Sequence, residues 1–376
     1  MRLLIDAHLD ISWNANHFDR DQLLSIDEMR AREAHMTGKG RGLCTVSLPE
    51  MRRARIGACL ATILCRAFPT WSPEVSNPVQ STTGGRRLGE ILLREDLDYC
   101  NQAVAYAQGM GQLAYYKLLE TQGHMAMIKT AADLDRIWAQ WEAGVPDAPL
   151  GYILSMEGCD PIVEPSQAEE WFEAGLRTAC LAHYGTSRYG MGTGGDGPIT
   201  EAGRQLLKEF ERVGMIVDLV HTADLAFQQT LDAFSGPVFI SHGNSRTLVD
   251  HDRQISDDQV RQIVARGGVI GAVCDAWMII PGFDMKDTDK IKPTMETLAD
   301  HIDHMCQIAG NAKHIAIGSD LDGGFGTEQC PSDLNTITDL HKLEDILDAR
   351  GYSAEDIDGV FYANWLRFFR ESLPKG

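Results

Sequence analysis

The chain opens on Leu3-Leu4-Ile5-Asp6-Ala7-His8-Leu9-Asp10, an apolar run that ends in His-x-Asp. In an extended strand, side chains two apart share a face. His8 and Asp10 can then point the same way and grip one metal ion. Neutral imidazole with a carboxylate suits zinc and its neighbours. A lone His-x-Asp pair near a strand end is common, and a lone histidine after an apolar run is more often a satisfied core side chain than a ligand. This pair has company. Four more apolar runs each stop at a ligand or proton carrier: Ile153-Leu154-Ser155-Met156 at Glu157, Ile216-Val217-Asp218-Leu219-Val220 at His221, Val238-Phe239-Ile240-Ser241 at His242, and Ile315-Ala316-Ile317-Gly318-Ser319 at Asp320. Open α/β sheets and α/β barrels carry their chemistry at the carboxyl ends of parallel strands. A metal site at such an end is the expectation.

Outward from that first run, strand-like runs recur near 57–64, 152–155, 178–182, 215–220, 238–241, 269–273 and 314–318. Stretches with helical periodicity lie between them, among them 201–213, 257–266 and 294–308. Short apolar runs separated by helices mean parallel strands with crossover helices. Eight of them predict a (β/α)8 TIM barrel of the metallo-dependent hydrolase type, with residues 1–376 as one domain. A ninth run at 124–128 reads as an extra edge strand outside the barrel. Ser256-Asp257-Asp258 and Thr200-Glu201 look like helix starts, and Gly267-Gly268 looks like a helix stop. The Pro-, Ser-, Thr- and Gly-rich segment 66–89 reads equally well as a lid or as a surface or dimer-contact loop. Gly190-Met191-Gly192-Thr193-Gly194-Gly195-Asp196-Gly197 lacks the ending of a phosphate loop and the spacing of a dinucleotide fingerprint. Flexible backbone beside a substrate is the expectation there.

Bulk properties narrow the class. The formal charge of −20 argues against a nucleic-acid surface and against anionic membranes. No run is long and apolar enough to predict a transmembrane helix. Met1 leads straight into the first strand, which leaves no room for a signal peptide. A soluble cytoplasmic protein is expected. The nine cysteines include no C-x-x-C pair, so buried free thiols in a reducing compartment are expected. Cys159 lies close to Glu157, but nothing local pairs it with a base, so it reads as a weak nucleophile.

The order and spacing of several motifs resemble the membrane (renal) dipeptidase family, zinc metallopeptidases of the amidohydrolase type, in a bacterial soluble form. The resemblance rests on Asp6-x-His8-x-Asp10, Glu157-Gly158, Gly175-Leu176-Arg177 leading to His183, Asp218-Leu219-Val220-His221, Ser241-His242-Gly243-Asn244, Arg253 before Ile255-x-Asp257-Asp258, His301-Ile302-Asp303-His304, and Gly318-x-Asp320-x-Asp322-Gly323. It covers most of the chain, from Asp6 to about Phe369. It implies two zinc ions per chain, one on His8 and Asp10 and the other on His221 and His242, with Glu157 bridging both. It implies that Asp320 is the acid/base and that His183 and Arg253 contact substrate. The implied reaction is hydrolysis of a dipeptide by a metal-bridged hydroxide, with L-D as well as L-L substrates in view. Cys159 departs from a usual small residue. Val273-Cys274-Asp275 replaces what is often an Asn-Phe-Tyr run, and the loop from Arg66 is longer.

The residues make chemical sense of those roles. A carboxylate has the two donor atoms that a bridge needs. Two divalent ions lower the pKa of bound water from about 15.7 toward about 7. An aspartate beside them can move the water's proton to a leaving amine. His183 can stabilise an oxyanion, and Arg253 can pair bidentately with a substrate carboxylate. Asp275, after the seventh strand, reads either as a reader of cationic substrate side chains or as a helix cap or solvated loop acid. His301 and His304 are expected to bind no metal. The partner expected is a small dipeptide, with a homodimer in view and no nucleic acid or membrane. Hydrolysis of N-acyl amino acids or lactams at the same site is the nearest alternative. A non-catalytic metal-binding relative is the alternative of another class.

Overall fold

Strands covered on both faces must be apolar nearly throughout, and these are. The computed structural model describes residues 1–67 and 97–376. Within them eight parallel strands succeed one another around a ring. They are β1 (Leu4–Leu9), β2 (Ile56–Leu64), β3 (Leu150–Glu157), β4 (Leu176–Cys180), β5 (Ile216–Asp218), β6 (Val238–Phe239), β7 (Ile270–Ala272) and β8 (Ile315–Ile317). β1 to β6 form one ladder, and β7 pairs with β8. A bridge from Ile240 to Ile270 carries the wall from β6 to β7. Among the described residues β8 and β1 share no ladder. A side chain joins them instead: the Asp6 carboxylate accepts the backbone N–H of Ser319 at 2.8 Å and its hydroxyl at 2.6 Å. The architecture is the expected (β/α)8 barrel.

All eight anticipated strands are present in the anticipated order. The ninth run forms a short strand, Met125–Met127, which pairs with the first half of β3 and leaves the second half to β4. Boundaries shift for a physical reason. β5 stops at Asp218, yet Leu219 and Val220 remain buried beyond it. Leu219 still donates its N–H to the Phe239 carbonyl at 2.8 Å, but the regular ladder ends there. β3 instead runs on through Glu157. Asp10 lies one residue past β1, after a register shift between Asp6 and Leu9, yet its carboxylate still comes within 3.8 Å of His8 Nε2. Of the segment 66–89, only Arg66 and Ala67 are among the described residues.

The helix Glu201–Val213 starts on Thr200, whose hydroxyl accepts the Gly203 N–H at 3.0 Å. The helix Asp257–Ala265 starts on a capping box of Ser256 and Gln259. The turn after it needs a positive φ of 71° at Gly267, which glycine adopts without a Cβ clash. At the end of the chain, helix Asn364–Ser372 sets Trp365, Phe368 and Phe369 against Ile5, Ala58, Ile153, Ile216, Phe239 and Ala316 from six strands. The Trp365 indole donates to the Ile317 carbonyl at 2.9 Å. Each such aromatic burial contributes about 2–3 kcal/mol. Ile5, Ile153, Phe239 and Ala316 each precede a polar site residue by three or four positions. Apolar packing thus occupies one part of the ring and leaves the carboxyl ends to chemistry. Among the described residues no helix is long and apolar enough to cross a membrane.

Candidate metal centre

Six strand ends bring the polar residues together. Glu157 is the hub. Its Oε2 lies 3.5 Å from His8 Nε2, and its Oε1 lies 3.1 Å from His221 Nε2, 3.6 Å from His242 Nε2 and 3.8 Å from His183 Nε2. His8 Nε2 also faces Asp320 Oδ1 at 3.7 Å and Asp10 Oδ1 at 3.8 Å. Three overlapping sets of donor atoms result: His8, Glu157 and His242; Glu157, His183 and His221; His8, Asp10 and Asp320. Two donors at about 2.1 Å from one tetrahedral ion stand roughly 3.4 Å apart. The observed spacings match that figure and are mostly too long for hydrogen bonds. His8 Nε2 is buried and has no hydrogen-bond partner. An orphaned nitrogen among three carboxylates fits a cation.

Charge at His221 and His242, and backbone at His221 and Asp320, agree with the donor set. Burial and the nearby cationic groups hold His221 and His242 well below the usual histidine range, so both are neutral, as ligands must be. Burial would depress His8 too, but Glu157 and Asp10 outweigh it and hold its proton affinity well above the usual range. Burial, with Glu157 and Asp10 adding to it, pushes Asp320 well above the usual carboxylate range. His221 and Asp320 both adopt left-handed backbone, with φ of 56° and 55°. Non-glycine residues hold such strain, of order 1–3 kcal/mol, where their surroundings over-determine it.

The family model for membrane dipeptidases, peptidase family M19, matches residues 2–373. The chain belongs to the membrane dipeptidase family. It is 26% identical over 371 residues to dipeptidase verJ of Clonostachys rogersoniana, a match covering 97% of this chain and 82% of that protein. An uncharacterized dipeptidase of Schizosaccharomyces pombe is 28% identical over 232 residues, covering 60% of this chain and 54% of that protein. The match thus spans about half the length of that yeast relative. The fold is shared with a Rhodobacter sphaeroides metallo peptidase crystallised with a phosphinate mimic of L-Ala-D-Ala, at a TM-score of 0.72 and 19% identity over 98% of this chain and 99% of that one.

Other members of the predicted set fall into place around this dipeptidase-family centre. Arg253 is buried, and both terminal nitrogens of its guanidinium donate to the His242 carbonyl, at 3.3 and 3.4 Å. Asp275 is neither a helix cap nor a solvated acid. It occupies the N-cap position of helix Ala276–Ile279 but caps nothing, and it is 7% exposed. Its two oxygens accept the Trp277 indole and the Gln329 amide, both at 2.6 Å. The glycine-rich stretch is not loose either. Thr193 N–H donates to the His183 carbonyl at 3.0 Å, and Gly192 N–H donates to Gly185 at 2.7 Å. A Cβ on Gly192 would lie 1.9 Å from the His183 oxygen, so only glycine fits.

Several contacts were invisible in the motifs. Thr193 Oγ1 pairs with His221 Nδ1 at 3.0 Å, and Ser241 Oγ pairs with His242 Nδ1 at 2.9 Å. Both orient their rings so that Nε2 faces Glu157. The Thr62 hydroxyl donates to Asp10. Tyr184 packs edge-on against His183 and His221, with ring centroids 4.8 Å apart in each case. The Ser241, Thr193 and Thr62 hydroxyls lie 1, 28 and 52 residues from their partners, and nothing in a serine or threonine by itself signals such a role. Cys159 is buried, with burial pushing its thiol up, and donates to the Cys180 carbonyl at 3.0 Å. His301 accepts the Ser245 N–H at 3.1 Å and His304 pairs with Asp257 at 2.9 Å, which are structural roles.

Proposed function

We propose that this chain hydrolyses the peptide bond of dipeptides at a centre of two zinc ions. His8 and Asp10 would hold one ion, His221 and His242 the other, and Glu157 would bridge them. The division of Glu157 carries the reading: one oxygen faces His8, and the other faces His221, His242 and His183. A carboxylate serving one ion needs no such division. When bound, two zinc ions would supply a water of lowered pKa and polarise the scissile carbonyl.

The protein's own groups do the rest. Asp320 would take a proton from the attacking water and return it to the leaving amine. Its placement beside His8 and His242 supports that role. His183 would donate a hydrogen bond to the developing oxyanion. Arg253 has five donors and gives its terminal nitrogens to one carbonyl at long range, which supports pairing with the free carboxylate of a dipeptide. That need for a terminal carboxylate favours dipeptides over neutral amides and lactams. The phosphinate mimic of L-Ala-D-Ala carried by the Rhodobacter neighbour is the reason that L-D dipeptides are included in this proposal. All nine cysteines are free, eight of them buried, which supports a reducing compartment such as the cytoplasm.

The test is a screen of L-L and L-D dipeptides against zinc-reconstituted protein, alongside elemental analysis. Turnover of free dipeptides, with blocked C-terminal amides much poorer, is the expected result. Zinc-loaded protein that turns over N-acyl amino acids or lactams but no dipeptide would overturn the substrate reading. Protein that binds no transition metal would overturn the centre itself.

A further inference from the structure

Two buried carboxylates that lie outside the donor sets have matching surroundings. Asp6 precedes His8 by two residues, and Asp218 precedes His221 by three. Each accepts the backbone N–H two residues further along its own chain: His8 N–H at 3.2 Å for Asp6 and Val220 N–H at 3.0 Å for Asp218. Each also accepts the N–H of a serine on the adjacent strand end, Ser319 at 2.8 Å and Ser241 at 3.0 Å. Each of those serines is followed directly by a site residue, Asp320 or His242. Neither aspartate belongs to any group of candidate ligand atoms among the described residues.

We propose that Asp6 and Asp218 are paired positioning residues, one for each ion of the two-zinc reading on which this inference rests. Asp6 ties the end of β1 to the end of β8, and so sets His8 against Asp320. Asp218 ties the end of β5 to the end of β6, and so sets His221 against His242. An ionised carboxylate is an acceptor at both oxygens, so it can hold converging N–H groups from two strands at once. In both clamps one oxygen, Oδ1, takes both N–H groups, so a carboxamide keeps an acceptor there but loses the charge that strengthens both bonds, and at Asp6 it also turns an amino group toward the Ser319 hydroxyl. The two clamps differ in what else holds their strands. β5 and β6 are already paired through Asp218 and Phe239, whereas β8 and β1 have no ladder between them among the described residues. Asp6 therefore carries more of its junction than Asp218 does. It also accepts a third bond, from the Ser319 hydroxyl at 2.6 Å.

The experiment is a zinc titration of full-length protein against a chromophoric chelator, with stoichiometry by elemental analysis. Asp6→Asn should weaken one zinc ion by about 10–100-fold and leave the other near wild type. Asp218→Asn should do the same to the other ion. The double variant should weaken both. Thermal unfolding of the metal-free variants shows whether they fold. Where Asp6→Asn does not fold, Ser319→Ala keeps the carboxylate and removes one bond, and it should weaken the same ion less. At the second clamp the Ser241 hydroxyl is bonded to His242 Nδ1 instead, so the fallback there is Asp218→Ser, which removes the carboxylate and leaves that contact in place. Folded variants that lose both ions equally, or that bind both as the wild type does, would overturn the pairing. A wild type that binds fewer than two zinc ions would overturn the underlying two-zinc reading, a result visible before any variant is made.

Discussion

Asp320 sits with its carboxyl 3.7 Å from His8 Nε2 and 3.8 Å from His242 Nε2, on strained backbone. If it moves the proton, Asp320→Asn should keep most of the metal and lose about 10²–10⁴-fold in kcat, the usual share of a general acid–base group. Near-normal kcat in a zinc-loaded variant would make Asp320 a structural acid. Arg253→Met tests substrate binding. Losing a charge-assisted bond costs about 1.5–3 kcal/mol, so kcat/KM should fall roughly 10–100-fold for free dipeptides and little for amides. An equal fall for both would assign Arg253 to scaffolding of the His242 loop. At this scale His8, Asp10, Glu157, His221, His242 and Asp320 were legible because each interrupts an apolar run at its end. Asp6 and Asp218 were not, because they lie inside such runs and their partners are 313 and 23 residues away. The position of Asp275 after a strand is visible in sequence, whereas its bonds to Trp277 and Gln329 are not.

Loops after the strands carry the next level of control. Gly192→Ala would drive a methyl group into the His183 carbonyl. Overpacking of that kind costs about 1–3 kcal/mol, and here it pushes on a site residue. The variant should unfold at lower temperature and lose activity in excess of its loss of folded protein, as paired unfolding and kcat/KM measurements would show. Asp160, in the loop after β3, accepts the Ala67 N–H at 2.9 Å and the Ser187 hydroxyl at 2.7 Å. Burial outweighs those bonds and pushes its pKa from 3.8 up to about 6. The fold prefers the protonated form. Its contribution to stability is therefore complete below about pH 3.8 and is lost as pH rises through about 6. The loss is on the order of 3 kcal/mol. Asp160→Asn never ionises, so its stability relative to wild type should improve from pH 5 to pH 7.5 in urea unfolding. A constant gap would mean that Asp160 does not titrate across that range. Strand order was legible at this scale, since periodic apolar runs recur at barrel spacing. The ordered glycine braid was not, because glycine marks close approach and looseness alike.

For the whole molecule, the two zinc ions proposed at the strand ends would form one structure with the packed ring. Two ions held at a thousand times their dissociation constants would each add about 4 kcal/mol. Chelation should then lower Tm by roughly 10 °C, reversibly on adding zinc back, by calorimetry. An unchanged Tm would mean that the ions sit on a scaffold indifferent to them. The β8–β1 junction also bears on how the protein is made. β1 leaves the ribosome first, and the serine that Asp6 engages follows 313 residues later. At about 5–20 residues per second, that interval is roughly fifteen seconds to a minute. Throughout it the opening strand has a neighbour on one side only, and His8 waits for Asp320. If the proposed centre takes zinc, capture with full affinity waits until β8 has been made, and a nascent or truncated chain that ends before β8 has no finished centre in which to trap it.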